Sequence, residues 1–246
     1  MIPIGDDNSD RRTTPFVNWL LIAANVFVFV VFQGLGTNQR FTMAFATVPE
    51  EILTGKDIAE AIPIRDAYGR TVDQLVLEPT PIPVFLTLFT AMFLHGGLAH
   101  IAGNMLYLWI FGDNVEDAMG HLRYLIFYLL TGVLASLSHV FVTAAFGGNP
   151  LIPSLGASGA ISGVLGGYIV LYPQRRVRVI WLYQILQVPA LFAIGIWFLF
   201  QLISGAGMLG GSMGGVAYGA HIGGFLAGVL LVRLFAARPR PAYGGA

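Results

Sequence analysis

The sequence contains no cysteine, which excludes disulfides, thiolate metal sites and a cysteine nucleophile and leaves the redox compartment open. Charge is scarce: 11% of residues are charged, where globular domains carry about a quarter. Acidic residues end at Asp117, so nothing beyond it can supply a carboxylate. The net charge is zero and no basic run is interleaved with aromatics, which removes nucleic acid as an expected partner. What the chain has instead is apolar surface, 56% of its residues, and that surface must face lipid. Several stretches of about 18 or more residues lack Asp, Glu, Lys and Arg, the length a helix needs to cross a bilayer. Asp6, Asp7 and Asp10 make the first residues unlike the basic start of a cleaved signal peptide, so this end is expected to be retained.

The apolar runs predict an all-α polytopic membrane protein of six transmembrane helices, at 15–35, 97–113, 122–144, 157–173, 178–204 and 217–236. The expected organisation is a cytoplasmic segment 1–14, a membrane domain 15–236 with one long external loop at 36–96, and a cytoplasmic tail 237–246 whose residues 241–246 read as disordered. Arg11, Arg12, Arg123, Arg175, Arg176, Arg178, Arg233, Arg238 and Arg240 all fall on one side of such a bundle, which assigns that side and both termini to the cytoplasm. In the long loop, seven carboxylates outnumber Arg40, Lys56, Arg65 and Arg70. The expected setting is the inner membrane of a bacterial cell. One stretch is ambiguous: 82–112 is apolar throughout but broken at Gly96 and Gly97, so it reads as a short interfacial helix before a separate span, with one long tilted helix as the alternative.

Polar side chains at membrane depth are expensive and default to functional candidates. His100 and Asn104 lie early in the second predicted span, Ser158 begins the fourth and His221 lies about one turn into the sixth. All three spans enter from the external side, so a hydroxyl, two imidazoles and an amide converge on one shallow layer. Small residues follow Ser158 (Gly159, Ser162, Gly163, Gly166, Gly167), and His221, Gly224 and Gly228 share a face, a pattern that lets helix backbones approach. A histidine that takes the serine proton is the minimum machinery for attack on a carbonyl. Ser158 at a helix start also brings backbone N–H groups to where an oxyanion would form, and His100 and Asn104, four residues apart, add side-chain donors. Asp117 being the last acid, a dyad is expected, with a carboxylate from the external loop as the alternative third member.

His95-Gly-Gly-Leu-Ala-His100-Ile-Ala-Gly-Asn104, Gly112-Asp-Asn-Val-Glu116-Asp-Ala-Met-Gly120, Gly156-Ala-Ser158-Gly159 and Gly219-Ala-His221-Ile-Gly-Gly224, in this order, resemble the signature of the rhomboid intramembrane proteases. The resemblance covers roughly residues 15 to 236. It implies a six-helix core, Ser158 as nucleophile, His221 as general base, and an oxyanion site from His100, Asn104 and the Ser158 N–H. It also implies membrane-anchored protein substrates, cut near the outer face, and a structural hydrogen-bonding network around Glu116. The chain departs from the family pattern twice: 36–80 contains no tryptophan, and the position four after the nucleophile, often an aromatic that stacks on the histidine, is Ser162.

Blander readings stand beside these. A lone serine in a glycine-rich membrane helix packs and bonds to its own backbone, and His100 and Asn104 could tie helices together. His95 reads as a loop-boundary residue that supports structure, His121 and His139 as ordinary histidines, and Gly205–Gly215 as either a linker or a lid. No His-Glu-x-x-His helix and no pair of carboxylates within the spans is present, so metal-dependent and aspartyl proteolysis are disfavoured and no cofactor or metal is expected. The competing functions are a catalytically inactive rhomboid-like protein that binds or escorts membrane clients, and a transporter, which would predict inverted repeats.

Overall fold

The computed structural model describes residues 1–65, 70–208 and 217–237, with 64, 65, 72, 73 and 206–208 described by backbone alone. The 241–246 tail, Arg238, Arg240 and most of the Gly205–Gly215 stretch therefore lie outside the described residues. The first apolar run folds as α1 (Phe16–Phe27) and continues as a π-helical turn, Val28–Phe32. No side chain of its own caps α1. Glu116 does so from a distant helix, accepting hydrogen bonds from the Val17 and Asn18 N–H groups at 3.1 and 2.7 Å. A carboxylate there satisfies two of the N–H groups that a helix start leaves unpaired and meets the positive end of the helix dipole.

The long loop carries structure of its own: α2 (Gln39–Phe45), α3 (Pro49–Thr54), a hairpin of β2 (Ala61–Arg65) and β3 (Thr71–Val76), and a helical stretch 84–93 that contains α4 (Thr87–Thr90). The 82–112 run is broken as the two glycines suggest. Residues 84–93 and α5 (Leu98–Met119) meet at 80°, which overturns the single tilted helix. Then come α6 (His121–Phe146) and α7 (Ser158–Leu171), and later α8 (Ala190–Met208) and α9 (Tyr218–Phe235).

Two expectations need correction. The chain is predominantly helical, but it is not all-α. The segment 178–204, expected as one span, opens as an antiparallel hairpin of β4 (Arg176–Trp181) and β5 (Gln184–Pro189), and helix begins only at Ala190. The physical reason is a period-two pattern hidden inside an apolar run: Arg176 and Arg178 face outward while Val177 and Val179 are buried. A third strand, β1 (Ile2–Asp6), pairs antiparallel with β4. Length and composition alone do not show six crossings. Among the described residues, α6 and α9 are long and apolar enough to cross a membrane, and the bent pair 84–93 and α5 makes up to three. Helices 16–32, 158–171 and 190–205 are apolar but shorter.

The helices pack through their small residues. A Cβ at Gly224 would fall on the Gly159 carbonyl, one at Gly228 on the Gly163 carbonyl and one at Gly166 on the Phe225 carbonyl. The α7 and α9 backbones therefore touch, as the spacing of Gly224 and Gly228 suggested. Strand β1 and the segment just past α9 gather at one end of the bundle. There Asp6 accepts from Tyr168 Oη at 2.5 Å, Arg11 pairs with Asp113 at 2.6 Å, and the Ala237 N–H donates to the Ala118 carbonyl at 3.0 Å. The opposite end holds the starts of α5, α7 and α9.

Candidate active site

Those three helix starts surround a cavity of about 280 Å³ whose lining includes His100, Asn104, Ser154, Gly156, Ser158 and His221. Ser158 is the first residue of α7, and no side chain caps that helix, so its first N–H groups face the cavity without a capping acceptor. Ser158 Oγ lies 2.8 Å from His221 Nε2, one turn inside α9. On the far side of the ring, Nδ1 lies 2.7 Å from Gln201 Oε1 in α8.

The oxyanion candidates lie on the same cavity. Asn104 is buried, 8% exposed, and its Nδ2 has no hydrogen-bond partner in the protein. A buried amide donor left unpaired is costly unless something else fills the place, and it faces the cavity that the serine faces. His100 Nδ1 accepts from the Gly96 N–H at 3.3 Å, so the neutral ring carries its proton on Nε2 as a donor. Gly156 must be glycine on two counts: its φ is +124°, and a Cβ there would stand 2.9 Å from His100 Nε2.

The long loop sets the entrance to α7. Thr47 and Ser154 exchange backbone hydrogen bonds, at 3.0 and 2.8 Å, and the Gly156 N–H donates to the Ala91 carbonyl at 2.8 Å. His95 supports this wall. Its N–H donates to Gln33 Oε1 and its carbonyl accepts from Gln33 Nε2, each at 2.9 Å, and its buried ring stands edge-on to that of His100, 5.2 Å between centroids. A Cβ at Gly159 would stand 2.8 Å from that of Ala135, and one at Gly224 would fall on the Gly159 carbonyl, so the two glycines let α9 bring its histidine to the serine. Glu116 lies at the other end, bonded to α1 and to His121 Nδ1 at 2.5 Å, and Gly112 lets Asn18 and Tyr124 approach.

All four chemical candidates, Ser158, His221, His100 and Asn104, thus meet on one cavity, and Glu116 and His121 do not reach it. Ser162 does not hold the histidine; its Oγ donates to the Ser158 carbonyl at 2.6 Å. The loop carboxylate allowed as a third member makes no hydrogen bond to His221 among the described residues; Gln201, which the sequence reading passed over, does. Its signal was available, since it is the only amide between Ala190 and Ile203 in an otherwise apolar helix.

A helical bundle with a serine and a histidine in contact at three helix starts defines a class that comparison with known proteins makes specific. The Rhomboid domain family model matches residues 84–238, more than half of the chain, and the chain belongs to the rhomboid family. It is 37% identical over 174 residues to "Rhomboid protease GluP" of Bacillus subtilis (strain 168), covering 70% of this chain and 32% of that protein. It is 29% identical over 158 residues to "Rhomboid protein 1, mitochondrial" of Saccharomyces cerevisiae, covering 63% and 43%. It is 35% identical over 103 residues to the human "Presenilin-associated rhomboid-like protein, mitochondrial", covering 41% and 25%. The chain spans less than half the length of these relatives. The family consists of integral membrane proteins that act on membrane proteins within the bilayer, and it includes serine proteases as well as inactive members.

Proposed function

We propose that this chain is an intramembrane serine endopeptidase that cuts membrane-anchored proteins within or beside a transmembrane segment near the extracytoplasmic face. The observation that carries the reading is the 2.8 Å contact between Ser158 Oγ and His221 Nε2 on the wall of a cavity. An inactive relative that only escorts clients has no need of that pair.

In the proposed reaction, Ser158 Oγ attacks the scissile carbonyl carbon as its proton passes to His221 Nε2. The carbonyl oxygen becomes an oxyanion that accepts hydrogen bonds from Asn104 Nδ2, His100 Nε2 and the Ser158 N–H. Collapse of this intermediate breaks the C–N bond, and His221 returns the proton to the leaving amine. Water then attacks the acyl ester with His221 again as base, which releases the acid product and restores the serine. The chain crosses the membrane six times in this reading, with both termini cytoplasmic and the site about one helical turn below the outer surface. Arg11, Arg175 and Arg178 at the end that holds β1 and the close of α9, with the site at the opposite end, support that orientation.

The test is labelling of the purified chain with a serine-directed fluorophosphonate, followed by peptide mapping, beside cleavage of a single-span substrate. Label on Ser158, and loss of cleavage in Ser158→Ala and His221→Ala with the thermal transition unchanged, is the expected result. Cleavage retained by Ser158→Ala rejects the mechanism.

A further inference from the structure

We propose that Gln201 is the positioning residue of this site: its side-chain oxygen fixes the tautomer and the orientation of His221, the task a carboxylate performs in a triad. The inference rests on the reading of Ser158 as nucleophile and His221 as base. A neutral imidazole carries one proton. For Nε2 to accept from Ser158 Oγ at 2.8 Å, that proton must sit on Nδ1, and Nδ1–H then needs an acceptor. Gln201 Oε1, 2.7 Å away, is that acceptor. Turned the other way, the amide would present N–H to Nδ1 and force the proton onto Nε2, where the ring cannot act as a base toward serine.

The surroundings explain why an amide is suited to the task. No acidic residue follows Asp117, and among the described residues the titratable side chains that act on His221 are His100 of α5 and His139 of α6, with Tyr218 one turn away on its own helix. A carboxylate in this part of an apolar helix would be an ionised group at membrane depth, costly to keep charged. An amide oxygen directs the ring at no such cost. Gln201 does not act from an isolated perch. Trp197, four residues earlier on α8, brings its ring to 6.2 Å from that of His221, so one face of α8 supplies both the acceptor and the apolar wall. The α7 helix contributes no such hold, because the Ser162 hydroxyl is bonded to the Ser158 carbonyl.

The experiment measures fluorophosphonate labelling of Ser158 and single-span substrate cleavage in the wild type, Q201L, Q201M and Q201E. Q201L and Q201M keep the bulk of the side chain and remove the acceptor; Q201E keeps an acceptor oxygen whether or not it is ionised. The expected order is wild type and Q201E well above Q201L and Q201M. The apolar variants should lose about tenfold to a hundredfold in kcat and in labelling rate, with KM and the thermal transition held. A packing role predicts the reverse, apolar variants equal to wild type and Q201E impaired, and that order overturns the inference while leaving the protease reading intact. A wild-type chain that is not labelled at Ser158 removes the protease reading itself, and the role of Gln201 with it.

Discussion

The two ends of this bundle both bury polar side chains in an apolar protein, and they do so in opposite ways. At the end that holds β1 and the close of α9, the groups are tied to one another. Arg11 pairs with Asp113, Asp117 accepts from the Thr13 N–H at 2.7 Å, Arg175 pairs with Asp10 at 2.5 Å, and Glu116 closes α1 and contacts His121. At the other end Ser158, His221 and Gln201 form one row beside a cavity, and Asn104 Nδ2 on the wall of that cavity is left without a partner. Buried polar groups are normally satisfied, so a cluster whose members mostly pair with one another reads as a clasp, and an unpaired donor on the wall of a cavity reads as a place that awaits a ligand. Composition alone does not separate them, since both ends contain an amide and a histidine.

The difference predicts that substitutions divide cleanly between turnover and stability. The largest effect on turnover short of removing Ser158 or His221 is expected for Asn104→Ala, a loss of about a hundredfold to a thousandfold in kcat. Its thermal transition should stay near that of the wild type, because the amide donor has nothing to lose. A large fall in stability with normal turnover would reassign Asn104 to the clasp. Glu116→Ala is the mirror case. It leaves the Val17 and Asn18 N–H groups without their charged acceptor and is expected to cost on the order of 2–4 kcal/mol in unfolding measurements. Turnover per folded molecule should be kept, and a folded but inactive variant would break the division. Gly228→Ala tests the backbone contact that joins the two regions. The added Cβ would collide with the Gly163 carbonyl, and a loss of about 1–3 kcal/mol in stability is expected; an unchanged melting temperature would mean that α7 and α9 do not meet there.

The site was more legible in the sequence than the fold that carries it, for a physical reason. Ser158, His221, His100 and Asn104 are polar side chains at apolar helix starts, and Gly224 and Gly228 mark a close backbone approach; each is a local pattern that one helical period reveals. The Gly96–Gly97 break was visible for the same reason. Strand β1 was not, because Ile2–Asp6 becomes a strand only by pairing with β4, more than 170 residues away. The β4–β5 hairpin was hidden because its Val and Ile positions also satisfy the composition of a membrane span. Gln201 was visible as an amide, but which way it turns depends on where α9 packs, and that is tertiary information.

Asp6 provides the smallest effect and the sharpest probe of the clasp, being its least saturated member. Its Oδ2 accepts from Tyr168 Oη and Asn114 Nδ2, while Oδ1 is buried without a partner. Burial pushes the carboxyl up to about 7, against the pull of the Tyr168 hydroxyl; Asp113 nearby reinforces the rise and Arg175 opposes it. In the unfolded chain the same group titrates near its ordinary value of about 3.9. Between those two values the folded protein binds more protons than the unfolded one, so the Asp6 contribution to stability is complete below about pH 4 and is lost as pH rises through about 7. Melting temperatures of the wild type should therefore fall modestly from pH 5 to pH 8, and Asp6→Asn, which carries no proton to lose, should flatten that part of the profile. Equal slopes in the two proteins would show that the first strand is held by β4 alone and that the clasp, like the cavity at the other end, tolerates an unpaired polar atom without consequence for folding.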